Sequence, residues 1–128
     1  MQLESVIVFL KGVMDMEKYF EKMKEYLNME TEIPYEEFET YFKDVIEFLS
    51  KDYLNLAQEE TIKGRFILTI LMSNSEDRAK RFKNMAKKYK KIYDKSHLWA
   101  EALTLRLLKM GMTKDQIIQA EQELNDSI

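Results

Sequence analysis

An all-α fold, a single domain over residues 1–128 built from five to six mostly antiparallel helices with short loops, is predicted by three observations. Apolar residues recur at alternating spacings of three and four along most of the chain, the period of a helix with one buried face. Residues that start and stop helices stand between these runs. No segment has the alternating pattern and the partner that a strand requires. The composition, 45% hydrophobic against 34% charged, lies outside the disordered regime, and 128 residues can bury a core without disulfides or a metal.

Val6, Phe9, Val13, Met16, Phe20, Met23 and Leu27 set a first helix over about residues 3–28. Gly12 lies inside it, which implies a bend or a close backbone neighbour. Pro34 then fits a first helical turn, and Glu36 and Glu37 follow where carboxylates favour the positive end of the helix dipole. Tyr35, Phe38, Phe42, Val45 and Leu49 repeat the period, so a second helix ends near residues 53–55. A third is expected over about 57–72, finishing in FILTILM, residues 66–72, whose apolar residues on all sides suit a central helix. Gly64 there would permit a close crossing.

The segment SNSED, residues 73–77, combines loop formers with helix-starting acids, and Ser73 with Glu76 has capping-box spacing. A fourth helix is therefore expected over RAKRFKNMAKKYKKIYDK, residues 78–95. Ala79, Phe82, Met85, Ala86, Tyr89, Ile92 and Tyr93 fall on one side of it, and Lys80, Arg81, Lys83, Lys87, Lys88, Lys90, Lys91 and Lys95 on the rest. Ser96 either starts a further helix or continues this one. Leu98, Trp99, Ala102, Leu103, Leu105, Leu107 and Leu108 cover too much circumference for a surface helix and predict a central one. Gly111 suits a left-handed C′ position, and Thr113 with Gln116 forms a capping box for a last helix carrying Ile117, Ile118, Ala120 and Leu124.

Charge is segregated. Residues 1–60 hold fifteen acids and six bases, a net −9, and residues 61–128 hold fourteen bases and eight acids, a net +6. The overall −3 hides a dipolar chain. Cysteine is absent, which removes disulfides, thiolate metal sites and thiol nucleophiles. The apolar run Val6–Leu10 is too short to span a bilayer and lacks the basic segment of a signal peptide. With Met1 as an unprocessed start, these features make a cytoplasmic location the expectation.

No set of residues converges on catalysis, and no cofactor or metal is expected. His97, the one histidine, has Asp94 and Glu101 at i−3 and i+4 but no further ligands at recognisable spacing. Ser96 beside it points about 100° away and makes no dyad. A di-iron bundle needs Glu-x-x-His pairs, and the sequence contains none. Met14 with Met16, and Met110 with Met112, diverge at i and i+2 on a helix, so thioethers for an adaptable core or surface are expected rather than a soft-metal site. Three glycines make no phosphate loop.

Residues 107–124, LLKMGMTKDQIIQAEQEL, resemble the turn and second helix of a helix-turn-helix, which would imply DNA binding. The segment departs where recognition occurs, because Asp115, Glu121, Glu123 and Asp126 accompany the single base Lys114 and repel phosphate. The Met-Gly-Met turn also resembles the loop of ubiquitin-associated domains, whose third helix has no counterpart here.

Two surfaces remain. Lys80, Arg81, Lys83, Lys87, Lys88, Lys90 and Lys91 are the candidate contacts for a partner or for nucleic acid, the latter nonspecific, with Asn84 the one non-cationic hydrogen-bonding residue in the middle of that face. Glu17, Glu21 and Glu25 form an i,i+4 acidic stripe, a candidate partner-binding face. The expectation is a small non-catalytic interaction protein, an adaptor, regulator or inhibitor working through its charge-segregated surface. Nucleic-acid binding by the basic face is the alternative. A third reading makes the acidic half a decoy for a nucleic-acid-binding protein, and a homodimer is compatible with any of these.

Overall fold

The computed structural model describes residues 2–128; for residues 2–13 it gives the course of the backbone and, of the side chains, Val6 alone. Five helices, α1 (Gln2–Leu27), α2 (Tyr35–Asp52), α3 (Gln58–Arg81), α4 (Ala86–Lys109) and α5 (Lys114–Asp126), form one all-α bundle without strands among the described residues. The central feature is an antiparallel hairpin of α3 and α4. Against α3 lie α1 on one side and α5 on another, while α2 packs on α4.

The VIVFL segment, residues 6–10, lies within α1, as its apolar period predicts. The core-facing roles expected of Phe9 and Val13, and the surroundings of Gly12, fall outside the described side chains. From Met16 to Met23 the period holds, with Met16, Phe20 and Met23 buried, whereas Val6 and Leu27, expected on the same packed side, are exposed. Met14 points to solvent while Met16 is fully buried, the divergence expected at i and i+2. Pro34 stands just before α2 rather than within its first turn, and its carbonyl accepts the Phe38 amide at 3.0 Å. A 3-10 turn, Tyr53–Asn55, closes the helix. Arg106 of α4 fastens the following loop by donating to the carbonyls of Leu54 and Leu56 at 2.7 and 3.1 Å.

The largest departure from expectation concerns residues 73–95. SNSED is not a loop but the penultimate part of α3, and the expected helix over 78–95 is divided between two helices and a turn. Leu68, Leu71, Ser75 and Arg78 are all buried at spacings of three and four. Tertiary burial of that face outweighs the weak helix propensity of serine and asparagine. The break falls instead at Phe82, with φ −115° and ψ 80°, followed by a 3-10 turn over Lys83–Met85. A continuous helix here would stack cations at i,i+3 and i,i+4 along its length, which is destabilising. The break at Phe82 relieves the Lys80–Lys83 and Lys83–Lys87 neighbours, while Lys87, Lys91 and Lys95 remain at i,i+4 within α4.

Ser96 lies inside α4, which therefore absorbs both the basic segment and the expected leucine-rich helix. At the far end the sequence-based boundary holds: Gly111 has φ +97°. Gln116 N donates to Thr113 Oγ1 at 3.1 Å and Thr113 N to Gln116 Oε1 at 2.9 Å, a complete capping box. α5 docks through Ile117, which forms a small apolar cluster with Ile62 of α3 and Leu107 of α4.

Three helices converge on Gly64. A Cβ built there would lie 3.2 Å from both Leu103 Cδ1 and Met16 Cε, and 3.7 Å from Leu49 Cδ2. Gly64→Val is expected to overpack this crossing at a cost of about 1–3 kcal/mol and to lower the thermal midpoint by several degrees. Gly64→Ala should stay within about 1 kcal/mol of the parent, because its gain in helix propensity offsets small shifts of two flexible side-chain ends. Thermal melts of the three proteins, followed by helical circular dichroism, check the order.

Candidate interaction surface

The basic stretch does not form one face. Arg78 is buried: its guanidinium lies 4.4 Å from the Phe38 ring centroid and 5.8 Å from that of Tyr89, Nη1 donates to the Tyr89 hydroxyl at 3.2 Å, and Nε is 3.8 Å from Glu32. Arginine suits this place because its planar group stacks on rings while its edge donates. Phe82, expected on the packing side, is exposed instead, with the Arg81 guanidinium 5.0 Å from its ring centroid. Tyr89 and Ile92 do pack inward as expected.

Arg81, the last residue of α3, is bound bidentately by Glu32, with Nη1 at 2.9 Å and Nη2 at 2.7 Å from its two oxygens, and Nε donates to Asp77 at 2.8 Å. Both arginines are thus held by the loop between α1 and α2, part of the acidic half of the chain. These hydrogen bonds keep the Glu32 carboxyl below its ordinary 4.5 despite partial burial, and the charges of Arg78 and Arg81 add to the effect.

The lysines have different fates. Lys80 reaches Glu76 only at 3.9 Å, and Lys90 pairs with Asp94 at 3.2 Å. Lys88 has its ammonium 5.3 Å from the Tyr35 ring centroid, beside the start of α2. Lys83, Lys87, Lys91 and Lys95 are exposed and make no ion pair among the described residues. The first turn of α4 contains no acid. Its dipole therefore adds to Lys83, Lys87 and Lys88 rather than opposing them.

The acidic stripe, by contrast, is internally answered. Glu17 accepts from Lys63 of α3 at 2.6 Å, Glu21 lies 3.4 Å from Lys24, and Glu25 lies 3.5 Å from Lys22. The Lys63 hydrogen bond holds the Glu17 carboxyl low; partial burial opposes this without reversing it. Beside the stripe an open groove of about 700 Å³ runs between α1 and α2, lined by Tyr19, Tyr26 and Tyr41 among charged side chains. Tyr41 donates to the Tyr19 carbonyl at 2.7 Å, and burial pushes all three phenols up. Lys18 and Lys22 already sit 5.4 and 5.3 Å over the Tyr19 and Tyr26 rings.

Sequence reasoning missed a second groove, of about 630 Å³, where α3, α4 and α5 meet. Leu98, Leu105 and Leu108, expected in a central helix, are exposed, whereas Ala100, Leu103 and Leu107 fill the core. α4 has neighbours on one side only along this length, so the leucines opposite them have nothing to bury against. His97 stands at the groove edge with Nε2 3.4 Å from Glu101 Oε1, and its ring is stacked on Tyr93 at 6.2 Å. Asp94 is engaged by Lys90. No group of three or more histidine, aspartate or glutamate side chains is placed to hold a metal ion among the described residues. None of the described helices is long and apolar enough to cross a membrane.

No protein-family model, no curated protein and no solved structure matches the chain. What the molecule does must be argued from its own surface.

Because Glu32 ionises more readily in the folded protein, its pairing stabilises above the ordinary carboxylate value and is lost as pH falls through the lowered one. Glu32→Gln should therefore be less stable than the parent at neutral pH, with the gap closing below about pH 4. Urea unfolding of both proteins across a pH series measures the gap directly. A gap that stays constant into the acid range would show that the Glu32 charge contributes nothing.

Proposed function

We propose that the chain is a small helical interaction protein that binds an acidic protein partner through the outward face of α4. The observation that carries this is where the unpaired charges lie: acids without an ion pair among the described residues include Asp15, Glu36, Glu37, Asp44 and Asp52 of α1 and α2, whereas unpaired lysines cluster along the start of α4. Glu17, Glu21, Glu25, Glu32, Glu39 and Glu47 each lie within 4 Å of a lysine or arginine of the same chain. Lys83, Lys87, Lys91 and Lys95 have no such partner among the described residues. A row of uncompensated cations on a rigid helix steers an oppositely charged surface and fixes its register. The absence of a convergent catalytic set in the sequence agrees with a binding role.

Nucleic acid is the second reading, and the features favouring it are the exposed Phe82 and Asn84 beside the positively charged start of α4. Against it, Arg78 and Arg81, the residues best suited to bidentate phosphate contacts, are taken up by Glu32 and the aromatic cluster. Four lysines in a row give few phosphate contacts and no base readout.

Fluorescence anisotropy with a labelled poly-glutamate peptide, a DNA duplex and a single-stranded RNA, each across a salt series, separates the two. The acidic peptide should bind, lose affinity with added salt, and bind about tenfold more weakly, a difference of about 1.4 kcal/mol, when Lys87 and Lys91 are both changed to Glu. Preferential binding of duplex or RNA, abolished by the same pair of substitutions, would favour the second reading. Equal binding by the parent and the substituted protein would refute both.

A further inference from the structure

Four of the large apolar side chains left exposed by folding gather on one side of the molecule: Leu98 at 65%, Leu105 at 60% and Leu108 at 36% on α4, and Ile118 at 62% on α5. Leu105, Leu108 and Ile118 line the groove between α3, α4 and α5, with Met72, Ala100 and Ile117 deeper in it. The polar groups of its floor are already satisfied. Thr69 Oγ1 donates to the Phe66 carbonyl and Thr104 Oγ1 to the Ala100 carbonyl, both at 2.8 Å, and Thr104 also accepts from Arg65 Nε at 2.7 Å. An apolar group laid over these two threonines strands neither hydroxyl, so desolvating that part of the floor costs little.

We propose that this groove seats one amphipathic helix of a partner protein, with leucine-like residues on the inward face and carboxylates along the flank that meets the lysines of α4. It rests on the α4 surface proposed above and adds the place and form of the contact. Leu98 and Leu105 are two turns apart, about 10.5 Å along α4, a spacing met by apolar residues at i, i+3 or i+4 and i+7 of an approaching helix. Charge selects the occupant. Beyond Leu98 the outward face of α4 continues into Lys95, Lys91 and Lys87, and beyond Leu108 come Lys109 and then Lys114 at the groove's other end. Glu101 is the acid among the groove-lining residues, 3.4 Å from His97 Nε2, and Asp94 on the same side of α4 is paired with Lys90.

A second copy of the chain is a poor occupant, because a twofold pairing across α4 would bring both lysine rows into one interface. The chain's own α5 is already committed, through Ile117 in the Ile62 and Leu107 cluster and through the Arg65–Glu121 ion pair. An acidic amphipathic helix satisfies both the leucines and the lysines.

The test uses the full chain and three labelled helix-forming peptides: one with leucines at a helical seven-residue spacing and glutamates on its flanks, a twin with lysine for every glutamate, and a twin with serine for every leucine. Titration by anisotropy should show the first bound and each twin bound at least about tenfold more weakly. Leu105→Glu and Ile118→Glu alter exposed positions, so both should keep the parent's melting temperature, and each should weaken the first peptide about tenfold or more. No binding of the first peptide at millimolar concentration, or indifference to both groove substitutions, overturns the proposal. If Lys87→Glu with Lys91→Glu weakens the peptide while Leu105→Glu and Ile118→Glu do not, the groove is wrong and the acidic-partner reading stands. If none of the four matters, both fall. A dimer of this chain, seen by light scattering and dissolved by Leu105→Glu, would assign the groove to a second copy and overturn the proposal as well.

Discussion

The antiparallel contact between α3 and α4 brings two 24-residue helices together along nearly their whole length, and small residues make that closeness affordable. Gly64 admits Leu103 and Met16 to within 3.2 Å of where a Cβ would stand. Ser75 and Ser96 are completely buried, and no hydrogen-bond partner is found for either hydroxyl among the described residues. A buried hydroxyl without a partner costs on the order of 1–3 kcal/mol, which close packing along the hairpin must offset. With α3 held this way, the other helices attach around it. Met16, Phe20 and Met23 bring α1 into the same core as Phe66 and Leu71, and Ile117 fastens α5 at one end.

The same hairpin determines what becomes of the basic stretch. Because α3 continues through residue 81, Arg78 arrives at a buried position facing Phe38 and Tyr89, and Arg81 arrives beside Glu32. Electrostatic attraction between the two halves of the chain acts at two places, where the α1–α2 loop meets the end of α3 and where Glu17 of α1 meets Lys63 of α3. Arg78 carries the greater structural weight, since a buried guanidinium without its ring faces and Glu32 would be an uncompensated charge. Past the turn Lys90 pairs with Asp94, while Lys83, Lys87, Lys91 and Lys95 meet no acid within 4 Å among the described residues, and their charge is left for solvent or a partner.

The periodicity of apolar residues sufficed to identify the helical class, α1 and α2, the Gly111 stop and the Thr113–Gln116 cap, because each rests on interactions local in sequence. The boundary between α3 and α4 was not legible. Ser73, Asn74 and Ser75 have the composition of a loop, and only the tertiary burial of Ser75 and Arg78 keeps them helical. Phe82, Lys83, Asn84 and Met85 have no glycine or proline to announce a turn. The candidate surface was half legible: charge counting located the cations but could not separate Arg78, Arg81 and Lys88, which turn toward the chain's own acids and aromatics, from the lysines that do not. The groove was hidden by the same excess of leucine that predicted a central helix. Leucines on all sides of α4 mean burial only if helices surround it, and helix spacing within one segment holds no information on its neighbours.

The two ends of α4's outward face would contribute differently to binding. Fully burying a leucine or isoleucine side chain stabilises by roughly 1.5–3 kcal/mol, and Leu98, Leu105, Leu108 and Ile118 are already partly covered, so together they offer only several kcal/mol. Association in solution costs an estimated 4–15 kcal/mol in lost translational and rotational freedom. The apolar groove alone would therefore hold a partner only weakly. Lysine pairs at a solvent-exposed rim add little affinity, roughly 0–1 kcal/mol each, but raise the encounter rate and reject like-charged surfaces. A surface built in this way would suit a partner that is found quickly, released readily and discriminated by charge.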